Sequence, residues 1–236
     1  MGRGERDPAR RMSPRAAHAR REDVLDDVVR YARRMSDDGL VVGTAGNISV
    51  RLDDEIVITP TSIPYERIEP GDLCVLDLSG NQVDGRRRAS SEAPLHAQVY
   101  RTTGAAAVVH THSLYATTLA CSVDVLPPIH YSIHRFGGDT IPVAEYERFG
   151  SDELAERVAH ALSDRRGTLL RNHGSVTYGS SLAEAYDLAL LLEWLARVYW
   201  QARQLGEPRL LTKAEIDEVA EEARRRRYAS EAPVVE

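Results

Sequence analysis

Ala105-Ala106-Ala107-Val108-Val109-His110-Thr111-His112 is the stretch on which the fold of this chain turns. From 106 to 111 small and β-branched residues follow one another without polar alternation, the pattern of a strand covered on both faces. Helical patterns flank it: one over 94–102, and a short one after Ser113, which is placed to cap it. Side chains two apart on a strand point to the same face, so His110 and His112 are able to reach one metal together.

Outward from that strand, helices and strands continue to alternate. Val24, Leu25, Val28, Val29, Ala32 and Met35 recur at helical spacing before Gly39, which predicts a helix over 22–38. Strands are predicted over 48–52, 56–59 and 73–78, broken by Pro60, Pro64, Pro70 and Gly80. Further strands fall at 140–144 and 168–171, with a Ser151-capped helix over 152–162 between them. Ser181 with Glu184 reads as a capping box for a helix ending before Gly206, and Thr212 with Glu215 opens a polar last helix. The pattern predicts one α/β domain over 22–228, with helices on both faces of a sheet.

Composition narrows the function. The chain has 236 residues, 42% hydrophobic and 28% charged, and a formal net charge of -6, which argues against nucleic acid as the main partner. No apolar run approaches the roughly 18 residues of a membrane span, and no signal-peptide core is present, so a cytoplasmic protein is expected. Cys74 and Cys121 lack CxxC spacing. The first 21 residues, with seven Arg against Glu5 and Asp7, read as a solvated tail, as do 229–236. Lys213 is the only lysine.

A third metal ligand is at hand in His173, which sits in Arg171-Asn172-His173-Gly174 directly after an apolar strand. Three histidines leave a position on Zn²⁺ open, the arrangement of a catalytic site. On spacing alone the alternative is a pair of hydrogen-bonded histidines at a strand end. Gly43-Thr44-Ala45-Gly46-Asn47, Thr59-Pro60-Thr61-Ser62 and Ser90-Ser91-Glu92 are loops with hydroxyl, amide and backbone donors suited to an anion, and each alone also reads as a plain turn. Glu92 precedes a helix start, where a carboxylate either complements the helix dipole or works as a base near the metal. His96 and His160 read as structural or surface residues. Neither GxxxxGK[ST] nor GxGxxG is present.

Taken in order, these motifs resemble the class II aldolase and adducin family, typified by L-fuculose-1-phosphate aldolase. The residues that carry the likeness are 43–47, 59–65, 90–92, 108–112, Ile129-His130-Tyr131 and 172–174. The resemblance implies a three-layer α/β/α sandwich and a cyclic homotetramer with sites between subunits. It implies His110, His112, His173 and Glu92 as ligands of Zn²⁺, or of Mn²⁺ or Co²⁺ in its place. Thr44, Gly46, Asn47, Thr61, Ser62, Ser90 and Ser91 then bind phosphate, and Tyr131 is lent by the neighbouring subunit. Phe149 and Tyr228 would shape the aldehyde end, and His134-Arg135-Phe136, where fuculose phosphate aldolases have small residues, would tune it.

The activity so implied is cleavage of a ketose 1-phosphate, L-fuculose 1-phosphate or a 5-deoxypentulose 1-phosphate, into dihydroxyacetone phosphate and a short aldehyde. Glu92 and Tyr131 would carry the protons. A Schiff-base route needs an active-site lysine, and Lys213 at the start of a polar helix does not supply one. Within the same fold the alternatives are a sugar-phosphate 4-epimerase or methylthioribulose-1-phosphate dehydratase. Outside catalysis the alternative is an oligomeric scaffold like the adducin head, which the complete histidine and Glu92 set disfavours.

Overall fold

Ile56, Val57 and Ile58 send their side chains alternately to two separate cores, Ile56 and Ile58 to one and Val57 to the other. Val108 and its neighbours Ala107 and Val109 divide in the same way. Apolar residues at every position of a strand require cover on both faces, and this requirement builds the layers.

The computed structural model describes the backbone of residues 14–231 and the side chains of 19–226. In chain order the elements are α1 (Pro14–Asp37), β1 (Asn47–Leu52), β2 (Glu55–Ile58), β3 (Cys74–Asp77), β4 (Gln82–Asp84), α2 (Ala93–Thr102), β5 (Ala107–Thr111) and α3 (Leu114–Ala120). After them come β6 (Val125–Leu126), β7 (Ile141–Ala144), α4 (Asp152–Ala161), β8 (Gly167–Leu170), β9 (Gly174–Gly179), α5 (Leu182–Leu205) and α6 (Lys213–Glu231). One sheet runs β4-β3-β2-β1-β5-β9-β8-β7-β6. Its pairings are antiparallel except β7 with β8.

Helices α2 and α4 close the core that holds Ile56, Ile58, Val108 and Val176. On the opposite face α1 and the start of α5 cover Val57, Ala107 and Val109, while α3, the rest of α5 and Ile216 of α6 cover Leu169 and Ile141. Helices on both faces of a nine-stranded sheet are the expected α/β architecture. No described helix is long and apolar enough to cross a membrane.

Several boundaries differ from the sequence reading. Helix α1 begins at Pro14 rather than 22, so residues 14–21 of the expected tail are helical, and Arg21 reaches Glu55 at 2.7 Å. An Arg-rich turn has no apolar stripe to reveal it; Arg20 and Arg21 of this turn pair with Asp53 and Glu55 of the β1–β2 hairpin. Residues 1–13 and 232–236 lie outside the described residues. Helix α6 runs to Glu231, past the expected boundary at 228.

Ser151 caps α4 as expected, accepting from the Leu154 N–H, and Thr212 with Glu215 forms a full capping box. Ser113 stands at the N-cap of α3 but makes no capping bond. The Tyr115 and Ala116 N–H groups donate instead to the two carboxylate oxygens of Glu193 on α5, at 2.9 and 2.8 Å. At the head of α5, Ser181 accepts from the Glu184 N–H, but the Glu184 carboxylate turns to Ser180 and Arg166, so the predicted box is half made.

Candidate active site

Three backbone devices bring the site together at the centre of the sheet. The end of β5 carries His110, and His112 follows directly after its last residue. The β8–β9 turn carries His173, which follows Asn172 in the left-handed region at φ 54°. Glu92 is the N-cap of α2, with its side chain turned inward and only 5% of the residue exposed.

The three imidazoles form a nearly equilateral triangle, with centroids 4.8–4.9 Å apart and planes at 73–84°. His110 Nδ1 donates to the Ser175 carbonyl at 3.0 Å, which leaves the Nε2 lone pair directed inward. That atom lies 2.9 Å from His112 Nε2 and 2.9 Å from Glu92 Oε2. His173 Nε2 lies 3.3 Å from Glu92 Oε1.

This donor set fits a divalent metal. One ligand atom from each of the four residues falls within 4.8 Å of the others. Glu92 Oε1 is buried with no well-aligned hydrogen-bond donor, only His173 Nε2 at 3.3 Å, a setting that a cation between them would satisfy. Three imidazole nitrogens and a carboxylate are ordinary ligands for zinc and for other first-row divalent ions.

Electrostatics in the metal-free cluster follow from its crowding. Burial opposes charge on Glu92, but His110 and His173 outweigh it and hold the carboxyl well below its usual range. Burial likewise works against a charged His110, and the Glu92 carboxylate overcomes it, raising that histidine. His112 is pushed down to about 3 by burial and by its two histidine neighbours.

The cluster opens into a cavity of about 310 Å³. Thr44, Ala45, Gly46, Asn47, Pro60, Thr61, Ser90 and Ser91 line it, together with Tyr146, Glu147, Phe149 and Asn172. Among the described residues no Lys or Arg lines the cavity, so an anion held there would meet neutral hydroxyl and backbone donors beside the metal cluster. Gly46, at φ +76°, permits the loop to press inward, since a Cβ there would sit 2.8 Å from the His110 carbonyl oxygen. Tyr65, which closes the 59–65 motif but was given no role from sequence, fastens the loop by donating to the Gly46 carbonyl at 2.6 Å.

Of the residues singled out from sequence, Thr44, Gly46, Asn47, Thr61, Ser90, Ser91, Glu92, His112, Phe149 and His173 line this cavity. The Asn47 amide nitrogen is already engaged, donating to Ser90 Oγ at 2.9 Å and Glu92 Oε2 at 3.0 Å. Ser62 is exposed beside Thr61 and is not a wall residue. Tyr131, His134 and Arg135 fall on a 3₁₀ turn, Tyr131–Phe136, away from the lining of this chain's cavity. Tyr228 lies in α6, and its side chain is outside those described. Tyr146 and Glu147 were missed, and Asn172 stood only as part of the 172–174 motif, without a role.

The exposed Lys213 ammonium pairs with Asp217. It therefore offers no Schiff-base amine to this cavity.

A family model, Class II Aldolase and Adducin N-terminal domain, matches residues 26–200, and the chain belongs to that family. It is 36% identical over 198 residues to 5-deoxy-D-ribulose 1-phosphate aldolase of Bacillus thuringiensis serovar kurstaki, covering 83% of this chain and 92% of the relative. It is 40% identical over 171 residues to L-fuculose phosphate aldolase of Escherichia coli strain K12, covering 72% and 79%. Among solved structures, an L-fuculose 1-phosphate aldolase superposes with a TM-score of 0.82 at 36% identity, covering 86% of this chain and 96% of that one. Its relatives are named aldolases, and the chain stands with them among the lyases.

Proposed function

We propose that this aldolase uses zinc to cleave a ketose 1-phosphate into dihydroxyacetone phosphate and a short aldehyde. The observation that carries the proposal is the Glu92, His110, His112 and His173 cluster opening into a cavity with a wall of neutral donor loops. A 5-deoxypentulose or 6-deoxyhexulose 1-phosphate is the substrate class. The donor wall suits the phosphorylated half, and the Tyr146 and Phe149 side suits a small apolar tip.

His110, His112, His173 and, before substrate arrives, Glu92 would hold the metal, which supplies a Lewis acid for the negative charge left beside the ketone. Glu92 then moves the proton to and from the carbon at the broken bond. Thr44, Gly46, Thr61, Ser90 and Ser91 would orient the phosphate, with Ser62 at the edge of that group and Asn47 acting through the Ser90 hydroxyl to which its amide donates. Phe149 and Tyr146 would border the aldehyde end of the cavity.

Tyr131 of the partner subunit would handle the proton on the aldehyde oxygen, in a cyclic homotetramer. In support, Tyr131 is 50% exposed and stacks on His130 with centroids 4.3 Å apart, outside its own chain's cavity. His134, Arg135 and Tyr228 would meet the aldehyde's far end in the same assembly. Mixing inactive Tyr131→Phe chains with inactive His110→Ala chains should restore activity; continued inactivity after demonstrated subunit exchange removes the shared site.

The substrate reading is tested by a coupled assay for dihydroxyacetone phosphate over L-fuculose 1-phosphate, 5-deoxyribulose 1-phosphate and ribulose 5-phosphate. Release from the 1-phosphates is expected. Preference for the 5-phosphate, or turnover without dihydroxyacetone phosphate, moves the assignment to the epimerase or dehydratase. Metal analysis of the purified enzyme is expected to find zinc.

A further inference from the structure

We propose that His96 is a positioning residue: through a directed string of hydrogen bonds it holds the Asn47 amide with its nitrogen toward Glu92, and thereby sets that carboxylate. The inference rests on the reading of Glu92 as the proton carrier and adds a part to it.

The string follows from two periodicities. On α2 and its cap, Glu92, His96 and Tyr100 are four residues apart and share the stripe that faces the sheet. On β1, Asn47 and Ser49 are two apart and share the face turned to α2, while Ile48 between them packs in the opposite core. Register places Asn47 beside His110 and Ser49 beside Val108. His96 sits between the two rows, fully buried, with Nε2 at 2.5 Å from Asn47 Oδ1 and Nδ1 at 2.6 Å from Ser49 Oγ. Ser49 Oγ in turn lies 2.8 Å from the Tyr100 hydroxyl.

Every proton in the string has one place. The Glu92 carboxylate accepts only, so Asn47 presents Nδ2 to it and Oδ1 to His96. Asn47 Oδ1 then needs a donor, which is His96 Nε2–H. With Nε2–H committed to Asn47 Oδ1, Nδ1 accepts from the Ser49 hydroxyl, and Ser49 accepts from Tyr100. Without the Nε2–H the Asn47 amide loses its orientation, and Glu92 Oε2 loses a donor that does not depend on the histidine ligands. Burying four polar side chains between a helix and a strand costs stability unless all are satisfied, and here the chain ends on the site's carboxylate.

The test compares His96→Leu with His96→Gln, whose amide retains a donor for Asn47. In metal-loaded enzyme His96→Leu is expected to lower kcat by about tenfold or more with KM within about threefold, and His96→Gln to recover most of that loss. Apart from turnover, ¹⁵N-histidine NMR of the metal-free wild type should find His96 as the neutral Nε2–H tautomer. An Nδ1–H tautomer, wild-type kcat in folded His96→Leu, or equal losses in both variants each overturns the proposal. If His96→Leu does not fold, Ser49→Ala replaces it: a lowered kcat at unchanged KM supports the string, and wild-type kcat overturns it. Full activity in Glu92→Gln would instead remove the proton-carrier reading, and the tautomer result would stand apart from it.

Discussion

Gly174 lies so close to the end of β5 that a Cβ on it would come 2.2 Å from the Thr111 carbonyl oxygen and 3.2 Å from His112 Cδ2. The obstacle is backbone, which does not swing aside. Gly174→Ala is therefore expected to push β9 from β5, cost about 2–3 kcal/mol and weaken metal retention. Urea unfolding and metal analysis check it; a wild-type midpoint with full metal content would show that the strands give way freely.

Removing a ligand and removing the proton carrier should have different signatures. His110→Ala, His112→Ala and His173→Ala are each expected to lose bound metal and activity together. Glu92→Gln should keep the metal and the fold while kcat falls by about 100-fold or more. Metal content measured beside kcat separates the two, and a histidine variant with stoichiometric metal and normal turnover would strike that residue from the ligand set.

The N-terminus of α3 offers a contrast between a distant cap and a local one. Glu193→Ala leaves the Tyr115 and Ala116 N–H groups without acceptors and is expected to cost about 1–2 kcal/mol. Ser113→Ala removes a buried hydroxyl that has no hydrogen-bond partner among the described residues, so it should be neutral or slightly stabilising. Thermal unfolding of the two variants decides; a larger loss in Ser113→Ala reverses the assignment.

Stability of the metal-free protein should depend on pH in a definite direction. His96 and His112 are held down to about 3, chiefly by burial, whereas the unfolded chain takes up these protons near about 6.5. The unfolded state binds more protons between those values, so stability falls as pH drops through that window. Glu92 acts in the same sense: its contribution is full above about 4.3 and is lost as pH falls toward its lowered folded value. His110 is raised, so its contribution is full below about 6.5 and fades as pH climbs through its folded value. Melting temperatures should therefore decline on the acid side of about pH 6.5. A flat profile from there down to about pH 4.5 would contradict the burial of both histidines.

Much of the site was legible because its ligands sit in short local patterns. His110 and His112 need only the two-residue period of a strand, and His173 follows an apolar run closed by Gly174. Strand β9 itself escaped notice: Gly174-Ser175-Val176-Thr177-Tyr178-Gly179 has glycine at both ends and weak apolar alternation, and its strand form comes from pairing with β5 and β8. The exposed edge strand β4 has no buried residue to reveal it. His96 read as a plain core or surface histidine because its partners lie 47 and 49 residues away, a relation set by register. Tyr146 and Glu147 reach the cavity through loop geometry alone.

The outer wall of the cavity is anchored at one end. Gly150, at φ +73°, is pressed so close to Ser91 that a Cβ would fall 2.6 Å from its carbonyl oxygen, while Tyr146 and Phe149 stay 62% and 60% exposed. The ligands, in contrast, belong to the sheet centre and the head of α2. Within one chain's own cavity, redesign for a different aldehyde can accordingly start from the few residues before that glycine, as an exchangeable rim on a fixed reaction centre. A library limited to 146–149 explores substrate shape at little risk to folding.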